Sequence, residues 1–193
     1  MTINHFFWKD RYLKQNTGWD IGSASPPITT YFDQINNKDV SILIPGCGNA
    51  YEAEYLLNTG FENVYILDFV EEILDQFKKR VPSFPRSNIL CNDFFNLNGQ
   101  FDFIIEQTFF CALSPNLRND YIDKMKSVLS PSGKLIGVLF NSEFKKEGPP
   151  FGGSIEVYKK LFSPHFNIKT LDKCYNSIPP RMDNELFFIF ETL

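Results

Sequence analysis

The stretch that decides the fold is residues 42–51, ILIPGCGNAY, an apolar run that enters a Gly-x-Gly turn before a segment with helical patterning. Twenty residues after Gly48 comes Asp68, which ends a second apolar run, VYIL at 64–67. Two glycines let a ligand approach the backbone closely, and a carboxylate at the tip of the neighbouring strand can accept both hydroxyls of a ribose. The pattern therefore predicts a site for an adenosine-type cofactor.

The same turn narrows the choice of cofactor. The dinucleotide fingerprint has a third glycine where this chain has Tyr51, and no Gly-Lys-Ser/Thr follows the turn, which excludes a P-loop. A nucleoside without phosphates, such as S-adenosylmethionine, fits better. Strand-to-helix turns also use glycine for steric reasons alone, so the turn needs support from other residues.

Composition excludes several classes of protein. A chain of 193 residues suits one domain, and its net charge of −4 leaves no electrostatic footprint for nucleic acid. The four cysteines form no Cys-x-x-Cys pair and the two histidines lie in no catalytic motif, so neither a metal site nor a catalytic side chain is predicted. No apolar run approaches the roughly 20 residues that span a bilayer. We expect a soluble, cytoplasmic protein that binds a small molecule, and we favour a monomer over an oligomer.

Apolar runs that alternate with amphipathic segments predict an α/β fold, in which helices cover both faces of a mostly parallel seven-stranded sheet. The predicted strands lie near residues 40–45, 63–68, 87–91, 101–106, 134–140, 166–173 and 185–191, and the predicted helices at 50–59, 70–80, 115–129 and 154–162. The last two strands should pair antiparallel, because residues 176–184 are too short a connection for a helical crossover. We expect a single domain over 1–193, with a Rossmann-like core at 37–193 and an N-terminal helical lid at 1–36.

Six short blocks occur in a fixed order along the chain: WKDRY at 8–12, TGWDIG at 17–22, IPGCG at 44–48, NDFF at 92–95, FFCAL at 109–113 and GPP at 148–150. Together they resemble the thiopurine S-methyltransferase superfamily. The chain is most similar to its halide and thiol (thiocyanate) methyltransferase branch, which includes the plant "harmless to ozone layer" proteins. The resemblance covers nearly the whole chain and implies the class I fold of S-adenosylmethionine-dependent methyltransferases.

The resemblance implies that Trp8, Tyr12 and Trp19 close over the methionine end of the cofactor. Related sequences usually carry a second tryptophan where this chain has Tyr12. Aromatic residues on one helical face often pack against the core, so a structural role is the alternative to a lid. Electron-rich rings also suit a sulfonium, because a cation is attracted to an aromatic face by about 0.5 to 2 kcal/mol.

In the same comparison, Gly46 and Gly48 underlie the cofactor and Asp68 holds the ribose. An acidic residue after a strand can instead cap the following helix, and Asp68 lies just before the predicted helix at 70–80. The resemblance further implies that Asp93 and Phe94 contact the adenine. The structural alternative for the NDFF block is a strand end with an Asx-turn, followed by aromatic residues of the core.

Glu106, at the end of the fourth strand, matches an acidic position that in this family lies near the cofactor amino group. Trp19, Phe110 and Phe140 are the expected lining of the substrate pocket, although Phe109 and Phe110 are both candidates for the core. Phe140 occupies a place where related halide methyltransferases tend to carry a tyrosine, which favours soft sulfur acceptors over halides. The loop at 147–153 either borders the entrance or simply connects a strand to a helix.

The predicted activity is methyl transfer to a small soft nucleophile, such as a thiol, bisulfide, thiocyanate or a halide. An acceptor that is already an anion needs no general base, which agrees with the lack of a catalytic motif. Two alternatives stay open: a thiopurine-like methyltransferase acting on heteroaromatic thiols, and a non-catalytic module that binds S-adenosylmethionine.

Overall fold

The computed structural model describes residues 3–193, which contain one sheet of seven strands. The strands are β1 (Ile42–Pro45), β2 (Val64–Asp68), β3 (Ile89–Cys91), β4 (Phe101–Gln107), β5 (Leu129–Phe140), β6 (Phe166–Lys173) and β7 (Glu185–Thr192). Their spatial order is β3-β2-β1-β4-β5-β7-β6. Strands β1 to β5 pair in parallel, whereas β7 runs antiparallel to β5 and to β6. The carboxyl ends of the first five strands therefore meet at one edge of the sheet.

The helices within residues 3–193 are α1 (His5–Leu13), α2 (Pro26–Phe32), α3 (Tyr51–Asn58), α4 (Glu71–Arg80), α5 (Arg118–Val128) and α6 (Ile155–Phe162). None of these helices has the length and apolar character that crossing a membrane requires. Short 3-10 turns connect several elements, including one at Phe110–Ala112 after β4.

Two hydrophobic cores lie on opposite faces of the sheet. Leu43 and Ile104 pack with residues of α5 and α6 on one face, and Ile44 and Ile105 pack with residues of α2, α3 and α4 on the other. Successive residues of a strand point to opposite faces. Because a core covers each face of β1, its residues on both faces must be apolar. All four residues of β1 are indeed buried. Burial of the central strands holds their ends, and therefore the site, in place.

The predicted architecture is confirmed: all seven strands form, the sheet is mostly parallel, and β6 and β7 pair antiparallel. One strand begins earlier than predicted. Strand β5 starts at Leu129 rather than near 134, and its pairing with β4 shifts register between Phe101 and Phe103. The Ser-Pro-Ser-Gly segment at 130–133, which lies between the predicted helix at 115–129 and the predicted strand at 134–140, is an irregular start of the strand, with Ser132 at φ 63°.

The N-terminal segment predicted as a lid divides into two parts. Helix α1 has no fully buried residue, whereas α2 buries Ile28 and Phe32 to 1% exposure in the core that it shares with α3 and α4. Only the part before α2 is therefore free to act as a lid. Residues 1 and 2 of the predicted segment lie outside the described residues, and the single-domain division stays a prediction.

Candidate functional site

A cavity of about 500 Å³ opens at the carboxyl edge of the sheet. Each of the first five strands contributes a residue to its lining, at or just after the strand's end: Gly46, Asp68, Asn92, Thr108 and Phe140. Small-molecule sites in open α/β sheets form at this edge, and the volume lies within their usual range of roughly 300 to 1,000 Å³.

The floor of the cavity is the turn after β1. Gly46 and Gly48 have φ of +57° and +52°, values that residues with a Cβ adopt at a cost. A Cβ on Gly46 would collide with the ring of Phe109, and one on Gly48 would lie 2.9 Å from the Tyr12 hydroxyl. Gly46 lines the main cavity, and Gly48 lies in a small adjoining cleft. Both glycines thus let the aromatic walls approach the backbone.

Asp68 is held at the end of β2 by two backbone hydrogen bonds. Its Oδ2 accepts from the Gly48 amide and its Oδ1 from the Val70 amide, each at 3.0 Å. Burial raises the pKa of Asp68 above its ordinary value, while these hydrogen bonds act to lower it. A carboxylate oxygen can accept two hydrogen bonds, so each oxygen keeps one lone pair for a ligand. Asp68 lines the cavity, and its predicted contact with the ribose stays a prediction.

Three aromatic residues, Trp8, Tyr12 and Trp19, form the roof of the cavity, and their closure over the methionine end of the cofactor stays a prediction. Trp19 stands edge-to-face with Trp8, with ring centroids 5.2 Å apart, and with Tyr12, with centroids 5.6 Å apart. All three line the cavity and are partly exposed. Arg181 Nη2 donates to the Trp19 carbonyl at 2.6 Å, which ties this roof to the segment before β7. We call residues 5–19 the lid segment.

The two residues predicted to contact adenine are placed differently. Phe94 lines the cavity at 4% exposure and packs against Phe109 and Tyr121. Asp93 is exposed, does not line the cavity, and accepts from the Phe95 amide at 2.9 Å, which caps a short 3-10 turn. Phe94 is therefore in place for the predicted contact, and the role of Asp93 stays a prediction.

Glu106 is 1% exposed and does not line the cavity. Its Oε1 accepts from the amides of Phe109 and Phe110, both at 2.8 Å, and its Oε2 accepts from the Tyr121 hydroxyl at 2.6 Å. Burial raises the pKa of Glu106 to about 7 against the lowering effect of these hydrogen bonds. The carboxylate thus holds the turn after β4 in place, and its predicted contact with the cofactor amino group stays a prediction.

The structure corrects the expected place of Phe110. Its side chain is 1% exposed and packs in the core against Tyr121 and Phe162, whereas the neighbouring Phe109 lines the cavity. Phe109 precedes the 3-10 turn at Phe110–Ala112, and Phe110, the first residue of that turn, directs its ring into the core. Phe109 replaces Phe110 as the aromatic wall on this side.

We call the region around Phe140 the Phe140 end of the cavity. Phe140 lies edge-to-face with Phe144, and the guanidinium of Arg181 lies 5.6 Å from the Phe140 ring centroid. Arg181 pairs with Glu185 at 3.2 Å, and both side chains are almost fully buried. Pro149 and Pro150 also line the cavity, so the loop at 147–153 borders it.

Sequence reasoning missed Arg181. It lies just before β7 and follows two prolines, in a segment without periodicity or a motif. Its partner on the roof, Trp19, is 162 residues away in sequence. The only available signal was a lone basic residue close to the start of a strand, which is too common to indicate a site.

Known proteins resemble this chain over nearly its whole length. The family model "Thiopurine S-methyltransferase (TPMT)" matches residues 3–191. "Probable thiol methyltransferase 2" of Arabidopsis thaliana is 28% identical over 81% of this chain and 71% of its own length. "Thiocyanate methyltransferase 1" of the same plant is 25% identical over 95% of this chain and 83% of its own length.

Among solved structures, a 1,6-didemethyltoxoflavin-N1-methyltransferase of Burkholderia thailandensis, crystallised with S-adenosylhomocysteine, superposes with a TM-score of 0.80. The two chains are 16% identical, and the match covers 97% of this chain and 86% of the other. At that identity the likeness shows the fold alone. With the family match over nearly the whole length, the chain belongs to the thiopurine S-methyltransferase family and is an S-adenosylmethionine-dependent methyltransferase.

Proposed function

We propose that this methyltransferase transfers its methyl group to a small sulfur nucleophile that is anionic or readily becomes so, such as a thiol, bisulfide or thiocyanate, with halides as poorer acceptors. One observation carries the proposal. The Phe140 end of the cavity offers an acceptor apolar walls and one buried cation, Arg181, and within residues 3–193 the lining contains no side chain suited to act as a general base.

The floor and the roof of the cavity support a place for the cofactor. We infer that the ribose hydroxyls bind the two free lone pairs of Asp68, and that Gly46 and Gly48 underlie the cofactor. The adenine would lie against Phe94, and the methionine end under the lid segment. These residues fit the group, because a buried carboxylate with unused lone pairs needs donors and a sulfonium is attracted to aromatic faces.

The lining residues that can titrate are poor bases. Burial raises the pKa of the Tyr12 hydroxyl and of the Cys111 thiol, so both remain protonated at neutral pH. Asp68 keeps one lone pair on each oxygen after its two backbone hydrogen bonds, and the cofactor placement proposed above uses both of them for the ribose hydroxyls. A nucleophile that must lose a proton during the reaction would therefore find no acceptor for it. A thiolate or another preformed anion avoids this requirement.

Arg181 supplies the electrostatic counterpart for such an anion. A cation beside a thiol favours its ionised form, and Arg181 is fixed by Glu185 and by the Trp19 carbonyl. Because Glu185 offsets much of the charge, the anion is stabilised without being trapped. When bound, S-adenosylmethionine would supply a methyl group whose bond to the sulfonium sulfur breaks as its bond to the acceptor forms, with S-adenosylhomocysteine as the leaving group. The walls align the acceptor and remove its water, and alignment alone can lower the barrier by about 7 to 11 kcal/mol.

The absence of a hydroxyl on Phe140 bears on the acceptor. A halide is held best by hydrogen-bond donors, and the Phe140 ring offers none at this end of the cavity. An organic thiolate also gains from contact between its carbon atoms and the apolar wall, a contact that a halide cannot make. Phe140 therefore supports sulfur acceptors over halides.

The test is a panel of acceptors with labelled S-adenosylmethionine: an aliphatic thiol, thiophenol, bisulfide, thiocyanate, iodide, 6-mercaptopurine and a primary amine. We expect transfer to the sulfur anions, weaker transfer to iodide and none to the amine. Because the site lacks a base, kcat/KM for each thiol should rise with pH through the pKa of that free thiol. Preference for 6-mercaptopurine would favour the heteroaromatic alternative. Cofactor binding without transfer to any acceptor would favour a non-catalytic module.

We further propose that the protein acts as a cytoplasmic monomer of one domain. All four cysteines are free thiols, which suits a reducing compartment. Both hydrophobic cores are built on the same sheet, which supports one folding unit. Light scattering after size-exclusion chromatography should give a mass near 22.4 kDa, and twice that mass would contradict the monomer.

A further inference from the structure

Three charged side chains line the cavity: Arg11, Asp68 and Arg181. Asp68 accepts two backbone hydrogen bonds, and Arg181 is paired with Glu185. Arg11 differs from both, because its side chain forms no ion pair and no hydrogen bond within residues 3–193. Its Nε is buried without a partner. This buried N–H donor lacks an acceptor, and a buried donor costs free energy unless an acceptor satisfies it.

Arg11 is held in this position by its helix. It lies three residues after Trp8 and one before Tyr12, so the three side chains share one face of α1 and all line the cavity. Its guanidinium lies 4.5 Å above the centroid of the Phe7 ring, which supports it from behind. The lysines of α1 and its C-cap, by contrast, have acidic partners: Lys9 pairs with Glu72 and Lys14 with Asp10. Arg11 is the basic residue of this helix that faces the cavity.

We propose that Arg11 binds the α-carboxylate of the methionine moiety of S-adenosylmethionine. The cofactor has one carboxylate, at the end that lies under Trp8, Tyr12 and Trp19 in the placement proposed above, on which this inference rests. Arg181 is unsuited to the task because its guanidinium is already engaged by Glu185 and the Trp19 carbonyl and lies against the Phe140 ring, where the acceptor is placed. A guanidinium can bind a carboxylate through two parallel hydrogen bonds, which would also satisfy the buried Nε.

With Arg11 bound to the carboxylate, closure of the lid segment depends on the charge of the ligand. Trp8 and Tyr12 offer aromatic faces to a cation, and Arg11 offers the matching group for the anion on the same helix. Because all three side chains move with α1, binding of the carboxylate would draw the aromatic rings over the sulfonium. The lid would thus discriminate between cofactors that carry the carboxylate and those that lack it.

The experiment is a thermodynamic cycle by isothermal titration calorimetry, in the absence of any acceptor. S-adenosylmethionine and decarboxylated S-adenosylmethionine, which differ in the carboxylate alone, are titrated into the wild type, Arg11→Gln and Lys14→Gln. Lys14 is the matched control, because it carries the same charge at the end of the same helix but does not line the cavity. The two ligands report separately on the carboxylate contact and on the rest of the site.

We expect the wild type to bind S-adenosylmethionine at least 10-fold more tightly than the decarboxylated compound. Arg11→Gln should weaken S-adenosylmethionine by ~10- to 100-fold and leave the decarboxylated compound within about threefold. Lys14→Gln should change neither affinity appreciably. Retained binding of the decarboxylated compound shows that the variant is folded.

Equal affinity of the wild type for the two ligands would overturn the inference, and so would an equal loss for both ligands in Arg11→Gln. An unchanged cofactor Kd with a raised acceptor KM would overturn it too, by assigning Arg11 to the acceptor. If the wild type binds neither ligand, the cofactor placement itself fails. The acceptor panel is a separate assay, so its outcome does not affect this one.

Discussion

Replacement of Glu106 by glutamine tests how the turn after β4 is held. The wild-type carboxyl accepts three hydrogen bonds while fully buried, and burial raises its pKa from 4.5 to about 7. A raised carboxyl pKa means that the folded protein keeps a proton that the unfolded chain releases. Stability of the wild type therefore falls as the pH rises from about 4.5 to about 7, and the loss is complete above that range.

The size of the effect follows from the two pKa values. A shift of one unit corresponds to about 1.4 kcal/mol, so the full cost of ionising Glu106 in the folded state is about 3 kcal/mol. About 2 kcal/mol of that cost appears between pH 5.5 and 8. Glutamine does not titrate, can accept both amides through its oxygen and can donate to Tyr121. The free energy of unfolding of Glu106→Gln relative to wild type should thus rise by about 2 kcal/mol over this interval.

The assay is urea denaturation of both proteins at a series of pH values from 5.5 to 8, followed by circular dichroism. Glu62→Gln is the control, because Glu62 is exposed and its replacement should give a difference that does not depend on pH. A constant difference for Glu106→Gln as well would refute the reasoning. Glu106→Gln also separates two roles of Glu106. If Glu106 contacts the cofactor, the variant should bind S-adenosylhomocysteine more weakly; if Glu106 only anchors the turn, binding should be nearly unchanged.

Asp68→Asn should raise the Kd for S-adenosylhomocysteine by ~10- to 100-fold in calorimetry, because one acceptor for a ribose hydroxyl becomes a donor; unchanged affinity would remove Asp68 from the site. Phe140→Tyr should raise the iodide-to-thiol ratio of kcat/KM by several-fold, since a hydroxyl can donate to a halide, and a lower ratio would contradict the account of the Phe140 end. Hydrogen exchange of the lid segment should slow at least 10-fold when S-adenosylhomocysteine is added, whereas equal protection in both states would count against a lid.

The architecture was predictable because its signals are local. Each strand of the sheet is a short apolar run between turn residues, and the helices between them have one apolar face. The start of β5 was not predictable in the same way. Its first residues, at 129–133, contain two serines, a proline and a glycine, which are typical of loops, and they join the strand only through pairing of Leu129 with Phe101. Tertiary pairing outweighs local preference here.

The site was predictable where spacing or a motif locates a residue on the sheet edge. Asp68 lines the cavity because it ends β2, and Gly46 lines it because the Gly-x-Gly turn directly follows β1. The direction of Phe109 and Phe110 depends on a 3-10 turn that Glu106 stabilises, which no sequence pattern shows. Arg181 reaches the cavity through a contact with a residue 162 positions away, so only the folded chain brings it there.

The central claim is that the cofactor lies at the carboxyl edge of the sheet, with its ribose on Asp68 and its methionine end under the lid segment. A crystal structure of the protein with S-adenosylhomocysteine tests it most directly. The account predicts both ribose hydroxyls within about 3.2 Å of the Asp68 carboxylate and the homocysteine under Trp8 and Trp19. Density for the ligand at another place, or a cavity that stays empty at saturating ligand, would contradict the account.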